Sequence, residues 1–171
     1  MASETAVPAS GTENRPGSSG RVFLVVVDDS PELKVALRYA CVRARKTSGR
    51  VALLNVIEPT DFQQWAGVNE LMREEARQEA EQLLQKMAAD VQKLSGAMPV
   101  LFVREGVRRD ELLNLINEEP TISILVLGAS TNPRGPGPLV SALTNKFVGR
   151  LRVPVTIVPG NLSFEDVDTI A

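Results

Sequence analysis

The sequence contains no histidine and a single cysteine, Cys41, among its 171 residues. Without histidine the chain cannot form a Ser-His-Asp triad, a Cys-His pair or a histidine-ligated zinc site, and one cysteine cannot close an internal disulfide. Any general base would have to be an aspartate or a glutamate. We therefore predict a protein that is not an enzyme and has neither a catalytic nor a metal site.

The chain also lacks an excess of either charge, with 19 basic and 21 acidic residues and a formal net charge of −2. Binding to nucleic acid or to anionic lipid needs clustered Lys and Arg, so we predict neither a nucleic-acid nor a membrane partner. The first twenty residues contain no apolar run long enough for a signal peptide or a membrane span. With a single cysteine, these features predict a cytoplasmic protein.

Composition divides the chain into three parts. Residues 1–20 are rich in Ser, Gly, Pro, Thr and Glu, and we predict a disordered tail because they offer too little apolar surface to offset ordering. Residues 21–160 have the composition of one folded domain. Residues 161–171 form a C-terminal tail, in which Ser163 to Asp166 resembles the capping box of a short helix.

Five short runs rich in Val, Ile and Leu are typical of strands in a parallel sheet that is covered on both faces. They are Val22–Val27, Val51–Ile57, Val100–Val103, Ile122–Leu127 and Val153–Val158.

Helical patterns separate these strands. We predict a first helix capped by Ser30 with Pro31 at its first position, a second over 69–94 and a third over 107–117. The predicted apolar stripe of the second helix is Met72, Ala76, Ala80, Leu83, Met87, Val91 and Leu94. In the predicted fourth helix, apolar residues repeat every four positions: Leu139, Leu143, Phe147 and Leu151. This alternation predicts an α/β fold with a doubly wound five-stranded parallel sheet, strand order 3-2-1-4-5 and helices on both faces.

Ligands of such sheets bind beyond the carboxyl ends of the strands, where two loops meet. One loop runs from Val27 to Ser30, and the other runs from Gly128 to Ser141 and is rich in glycine and hydroxyl groups. The second loop ends at a helix N-terminus and could hold an anion. Two alternatives stay open: a role of Asp28 and Asp29 as helix caps only, and a role of the long loop as a plain connection. Adjacent carboxylates on an extended chain point apart, which argues against a dedicated Mg²⁺ site.

Several segments resemble the universal stress protein family over about residues 21–160. The first strand ends in Val27, Asp28 and Ser30, as in the family's Val-Asp-x-Ser pattern, although Asp29 stands where glycine is usual. Further similar segments are LLNVIEP at Leu53–Pro59, REG at Arg104–Gly106 and VPVTIVP at Val153–Pro159.

The resemblance implies an adenine nucleotide, ATP above all, as the one cofactor. ATP-binding members carry a loop of Gly, two residues, Gly, nine residues, Gly and then Ser or Thr. Here Gly128 matches, but Thr131, Ser141 and Ala142 replace the other three. The resemblance also places Asp28 at the ribose and the Val56 backbone at the adenine, and it leaves the hydroxyls of Ser130, Thr131 and Ser141 near a phosphate.

From this resemblance we predict a non-catalytic stress-response protein with weak or absent nucleotide binding. It would act as a homodimer through the strand around Val153–Val158 and through contacts with an unidentified protein partner. The alternative is an ATP-binding switch that uses the loop 128–142. An ATP-dependent enzyme ranks third, because the sequence carries no GxxxxGK[ST] phosphate motif.

Overall fold

The computed structural model describes residues 20–59 and 68–171, in which strands and helices alternate along the chain. Most of the predicted tail 1–20 lies outside the described residues. The elements are β1 Val22–Val26, α1 Leu33–Lys46, β2 Arg50–Ile57, α2 Val68–Ser95, β3 Val100–Glu105, α3 Arg108–Glu118, β4 Ile122–Ala129, α4 Pro138–Thr144, β5 Val155–Pro159 and α5 Phe164–Ile170.

The five strands form one parallel sheet in the order β3-β2-β1-β4-β5, which confirms the predicted fold class and strand order. The central strand β1 pairs Val25 with Leu53 of β2 on one side and with Val126 of β4 on the other. Along the chain, β2 and β3 follow β1 on one side of it, and β4 and β5 then lie on its other side. The carboxyl ends of β1 and β4 therefore meet where the direction of winding reverses, which is where such sheets hold ligands.

Each face of the sheet is covered by its own hydrophobic core. Phe23 and Val25 point towards α1, α2 and α5, whereas Leu24 and Val26 point towards α3 and α4. All four side chains are buried. This double burial explains why the strands appear in the sequence as continuous apolar runs without polar alternation. No helix of the described ranges is long and apolar enough to cross a membrane.

The start of the first helix differs from the prediction. Ser30 is not its N-cap, because α1 begins at Leu33 and the N-cap is Glu32. The carboxylate of Asp28 accepts a hydrogen bond from the Ser30 backbone N–H at 3.0 Å, and the Leu33 N–H bonds to the Ser30 carbonyl at 3.3 Å. Ser30 and Pro31 therefore belong to a turn before the helix.

Two further predictions about the helices are wrong. Leu83 is 40% exposed and the neighbouring Leu84 is buried, so the stripe of α2 passes through Leu84. The fourth helix ends at Thr144, because Asn145 leaves helical geometry, and Phe147 and Leu151 lie beyond it while still packing against the core. Because β5 begins at Val155, Val153 is buried just before the strand rather than within it.

Cys41 lies on the buried side of α1 with no exposed surface. Burial raises the pKa of its thiol to about 12, partly offset by the nearby charge of Arg38. A thiol with such a pKa is almost wholly protonated at neutral pH and is a poor nucleophile. Cys41 is therefore a core residue, as its place on the apolar stripe predicts.

The helix α5 occupies residues 164–170, where the sequence predicts a short helix, and it is held firmly against α1. Ser163 and Asp166 form a reciprocal capping box at its start. Val167 is fully buried in the core on the α1 side. The Arg38 guanidinium donates two hydrogen bonds to the Asp168 carboxylate, at 2.7 and 2.6 Å.

We expect acidification to weaken the docking of α5. The hydrogen bonds from Arg38, with smaller effects of Arg45 and Lys46, hold the pKa of Asp168 below its ordinary value. A lowered pKa stabilises the folded state above the unfolded carboxyl value of about 3.9, and this contribution is lost as pH falls through the folded pKa. The NMR shifts of the Val167 methyl groups between pH 7 and pH 3 would follow the change. An equally steep response in Arg38→Met would contradict this explanation.

Candidate functional site

A small cavity lies beyond the carboxyl ends of β1 and β4, with a volume of about 170 Å³. Ligand pockets for drug-sized molecules usually measure about 300–1,000 Å³, so this cavity is small for a nucleotide. Three segments supply the polar and backbone groups of its wall: the β1–α1 loop, the end of β4 with the following loop, and the start of α3. The lining includes Asp28, Ser30, Glu32, Arg108, Gly128, Ser130, Pro136, Gly137 and Pro138.

Of the six predicted site residues, the structure brings Asp28, Gly128 and Ser130 together in the cavity wall. The other three are Val56, Thr131 and Ser141. Val56 is buried within β2, on the core face that α3 and α4 cover, and Thr131 and Ser141 are exposed; none of these three lines the cavity. Ligand binding by all six stays a prediction.

The carboxylate of Asp28 has a structural role. It accepts the Ser30 N–H, as described above, and so shapes the turn that leads into α1. The same loop is held from β2, because the side-chain amide of Asn55 donates a hydrogen bond to the Val27 carbonyl at 3.1 Å. Asp28 therefore shapes its own turn, and it also faces the cavity.

Gly128 is explained by packing. A Cβ atom added there would lie 2.7 Å from both the Cβ atom and the carbonyl oxygen of Glu32. Gly160, after β5, approaches the side chain of the same glutamate just as closely. The start of α1 can rest on the ends of β4 and β5 only because both positions lack a side chain. This close approach needs glycine whether or not a phosphate binds.

The loop after β4 is closed on itself by backbone hydrogen bonds. The Ser130 N–H bonds to the Pro136 carbonyl at 3.1 Å, and the Gly135 N–H bonds to the Asn132 carbonyl at 3.0 Å. The Asn132 N–H bonds to the Ser130 hydroxyl at 3.2 Å. Prolines occupy three further positions and have no N–H to offer: Pro133, Pro136 and Pro138.

A phosphate cradle needs backbone N–H groups that point at the ligand. In this loop three of those groups are used internally, and three positions are proline and have none. Gly135 and Gly137 have φ angles of 105° and 106°, which other residues rarely adopt. These two glycines therefore allow the backbone to bend between the prolines of the loop. A phosphate held by this backbone would have fewer N–H groups to bind than an open glycine-rich loop offers.

Arg108 lines the cavity as well, although the sequence pattern does not predict it. It is the first residue of α3, and its backbone N–H donates to the Glu58 carboxylate at 3.1 Å. One guanidinium nitrogen, Nη2, lies 3.6 Å from the same carboxylate. The Nε atom is buried and has no hydrogen-bond partner among the residues that the structure describes. Buried donors are nearly always paired, so a hydrogen-bond acceptor is expected beside this one.

The charged groups that line the cavity are of both signs. Asp28 and Glu32 contribute two carboxylates and Arg108 one guanidinium. No cluster of three or more Asp, Glu, Cys or His side chains that could hold a metal ion occurs in the part of the chain that the structure describes. The arrangement is suited to holding a small ligand through hydrogen bonds.

Comparison with known proteins agrees with this fold. The Universal stress protein family model matches residues 21–159. Universal stress protein UspA from Lactobacillus plantarum is 18% identical with a TM-score of 0.68, covering 83% of this chain and 99% of its own. A universal stress protein in complex with cAMP is 14% identical, with a TM-score of 0.58, over 84% and 100%.

A universal stress protein family protein from Arabidopsis thaliana with AMP bound is 16% identical, with a TM-score of 0.55, over 81% of this chain and 91% of its own. A comparison with curated protein sequences gave no match. The likenesses to solved structures establish the fold, and the family model covers most of the chain. This chain belongs to the universal stress protein family.

Proposed function

We propose that this chain is a non-catalytic cytoplasmic stress-response protein that works through self-association and contacts with a protein partner. In this proposal it binds adenine nucleotides weakly or not at all. Membership of the universal stress protein family supports a role in stress response.

The single observation that carries the weak nucleotide binding is the closed loop after β4. Its internal hydrogen bonds and its prolines leave few N–H groups for phosphate oxygens. The cavity of about 170 Å³ agrees with this, because it is smaller than usual ligand pockets. The carboxylates of Asp28 and Glu32 in its wall would also repel a polyphosphate.

The proposed self-association rests on β5. Among the strands of residues 20–59 and 68–171, β5 lies at the edge of the sheet and pairs with β4, so none of these strands pairs with its outer edge. Its Ile157 is 40% exposed. An unpaired strand edge with exposed apolar residues invites pairing with another strand, and a second copy related by a two-fold axis offers the same edge.

A second candidate function, the ATP-binding switch that uses the loop 128–142, is favoured by one observation. The buried Nε of Arg108 has no partner within the described part of the chain, and the residue lines the cavity together with Asp28, Gly128 and Ser130. A nucleotide oxygen or ring nitrogen could accept this hydrogen bond. Two proteins of similar fold carry cAMP and AMP in their structures.

Titration calorimetry with adenosine, AMP and ATP, each with Mg²⁺, separates the two functions. If the loop after β4 does not bind phosphate, we expect dissociation constants near or above about 1 mM that differ little among the three ligands. ATP binding in the micromolar range, at least roughly tenfold tighter than adenosine, would overturn the weak-binding proposal.

Arg108→Met provides the test of the second candidate. If the switch is correct, micromolar binding is lost in this variant. Micromolar binding is kept in the control Arg104→Met. Arg104 lies on β3, pairs with Glu118 at 2.6 Å and is not part of the cavity lining. Equal loss in both variants would show that the effect is not local to the cavity.

A further inference from the structure

We propose that a basic patch on the α3–α4 side of the sheet binds an acidic segment of a protein partner. The patch consists of Arg109, near the start of α3, and of Lys146, Phe147 and Arg150, which follow α4. The inference rests on the proposed function, because it states the chemistry of the protein partner that is proposed there.

Three cationic groups surround one aromatic ring in this patch. The Arg109 Cζ atom lies 4.1 Å from the centre of the Phe147 ring. The Arg150 Cζ atom lies 5.8 Å and the Lys146 Nζ atom 5.9 Å from the same point. The face of an aromatic ring attracts cations but carries no net charge. The ring therefore gathers the three cations without neutralising them.

One carboxylate, that of Asp110, balances part of this charge. It accepts a hydrogen bond from the Arg109 Nε atom at 2.9 Å. This hydrogen bond lowers the pKa of Asp110, burial opposes the shift, and the charges of Arg109 and Arg150 add to the lowering. Asp110 is therefore ionised at neutral pH. Within residues 20–59 and 68–171, neither Lys146 nor Arg150 forms an ion pair, so three cations and one carboxylate leave the patch with a net charge of +2.

The segment that carries Lys146 and Arg150 is held in place by its own backbone. The Phe147 N–H donates to the Ala142 carbonyl at 3.1 Å, and the Arg150 N–H donates to the Phe147 carbonyl at 3.0 Å. Phe147 also packs against the hydrophobic core on this face of the sheet. Because the backbone and the ring are ordered before a partner arrives, less conformational freedom is lost on binding, which favours association.

The same segment is open to a partner and is partly apolar. Lys146 and Arg150 are exposed, and Val148 between them is 57% exposed. A Cβ atom added at Gly149 would meet nothing within 4 Å, so nothing among the described residues covers this turn. The complementary segment would carry acidic side chains beside an apolar one.

The size of the patch favours an acidic peptide over nucleic acid or an anionic membrane. Proteins that bind duplex DNA make on the order of 6–10 phosphate contacts. Polybasic segments that bind anionic lipids contain about 4–8 Lys and Arg residues. The patch offers three cations, one of which is already paired with Asp110. Of the neighbouring arginines, Arg108 pairs with Glu58, and Arg152 bonds to carbonyls at the opposite end of α3.

Fluorescence anisotropy with two labelled peptides tests the inference on the full chain. The probe has one leucine between two runs of three glutamates, and the control peptide has glutamine in place of every glutamate. At about 0.1 M ionic strength the Debye length is about 10 Å, so the probe responds to nearby charges. We expect the acidic peptide to bind at least roughly tenfold more tightly than the glutamine peptide. An ionic strength of about 1 M should remove most of this difference.

Two double variants locate the binding on the surface. Lys146→Gln with Arg150→Gln removes the two cations that form no ion pair within the described residues, and the dissociation constant of the acidic peptide should rise roughly fivefold or more. Lys86→Gln with Lys93→Gln is the matched control. It removes two exposed cations from α2, which packs on the opposite face of the sheet, and its dissociation constant should stay within about twofold. Unchanged thermal unfolding curves would show that both variants fold.

Each outcome supports or overturns the inference. Weaker acidic-peptide binding in the Lys146/Arg150 variant alone supports it. Equal binding of the two peptides to the parent chain, or an equal loss in both double variants, overturns it. It is also overturned if a single-stranded DNA of about 20 nucleotides or a phosphatidylserine vesicle binds more tightly than the acidic peptide and loses this binding in the Lys146/Arg150 variant.

The proposed function fails on a different measurement. Micromolar ATP binding in the calorimetry described above would overturn the weak nucleotide binding, whatever the peptides do. A chain that binds neither ATP nor the acidic peptide would overturn the role of the basic patch and leave the weak nucleotide binding in place.

Discussion

Gly128→Ala is expected to destabilise the ligand-free protein by about 1–3 kcal/mol, the usual cost of forcing an extra atom into a packed site. The added Cβ atom would lie 2.7 Å from the Glu32 carbonyl oxygen, which belongs to the backbone and cannot swing away. Either the start of α1 or the end of β4 has to shift. For a chain of this size the melting temperature should fall by roughly 2–12 °C, as measured by calorimetry.

Gly149→Ala is the matched control for this prediction. An added Cβ atom at Gly149 would meet nothing within 4 Å, and its backbone is not in the left-handed region. We expect its stability to stay within about 0.5 kcal/mol of the parent chain. Equal melting temperatures for Gly128→Ala and the parent would contradict the close packing of α1 on β4.

The result would also decide how the glycine of the family pattern is interpreted in this chain. A glycine kept for phosphate contact affects ligand binding and leaves the ligand-free stability unchanged. A glycine kept for helix packing affects stability without any ligand. Glu32 is the residue that connects Gly128 and Gly160, although these two glycines lie 32 positions apart in the sequence.

The sheet could be predicted from the sequence because burial on both faces leaves a simple pattern. Runs such as Val22–Val27 contain no polar alternation, and the helical segments between them force parallel crossovers. The errors occurred where the pattern allows two solutions. Leu83 and Leu84 are both leucines, and only the position of α2 over the sheet decides which one is buried.

Turns and long-range contacts were harder to predict. Ser30 followed by Pro31 has the sequence of a helix start, but the Asp28 carboxylate takes the Ser30 N–H and delays the helix to Leu33. Phe147 fits a helical repeat, but it lies beyond α4 with the Arg109 guanidinium 4.1 Å from the centre of its ring.

For the site, the loops at the ends of β1 and β4 were predictable from the topology of the fold. Asp28, Gly128 and Ser130 do meet there. Arg108 was not predicted, because it is one of several arginines, and only the crossover through α3 brings it to the cavity. The available signal was its place at a helix start directly after the end of β3.

The second large effect is expected for Val167→Asp, which should detach α5 from α1. Val167 is fully buried in an apolar core, where an unpaired carboxylate costs several kcal/mol. When α5 detaches from α1, the carboxylate is exposed to water and this cost disappears. The variant can therefore lose no more stability than the free energy with which α5 docks on α1. Hydrogen exchange should show loss of protection for the amides of residues 164–171, by about a hundredfold or more.

The amides of β1 and β4 should keep most of their protection, because the family match ends at residue 159 and each strand of the sheet pairs with other strands rather than with α5. Thr169→Asp is the control, since it adds the same charge to an exposed position of the same helix. If both variants lose protection equally, added charge rather than burial is responsible. If Val167→Asp exposes β1 and β4 as strongly as α5, the helix unfolds together with the sheet and is an integral part of the domain rather than an attachment to it.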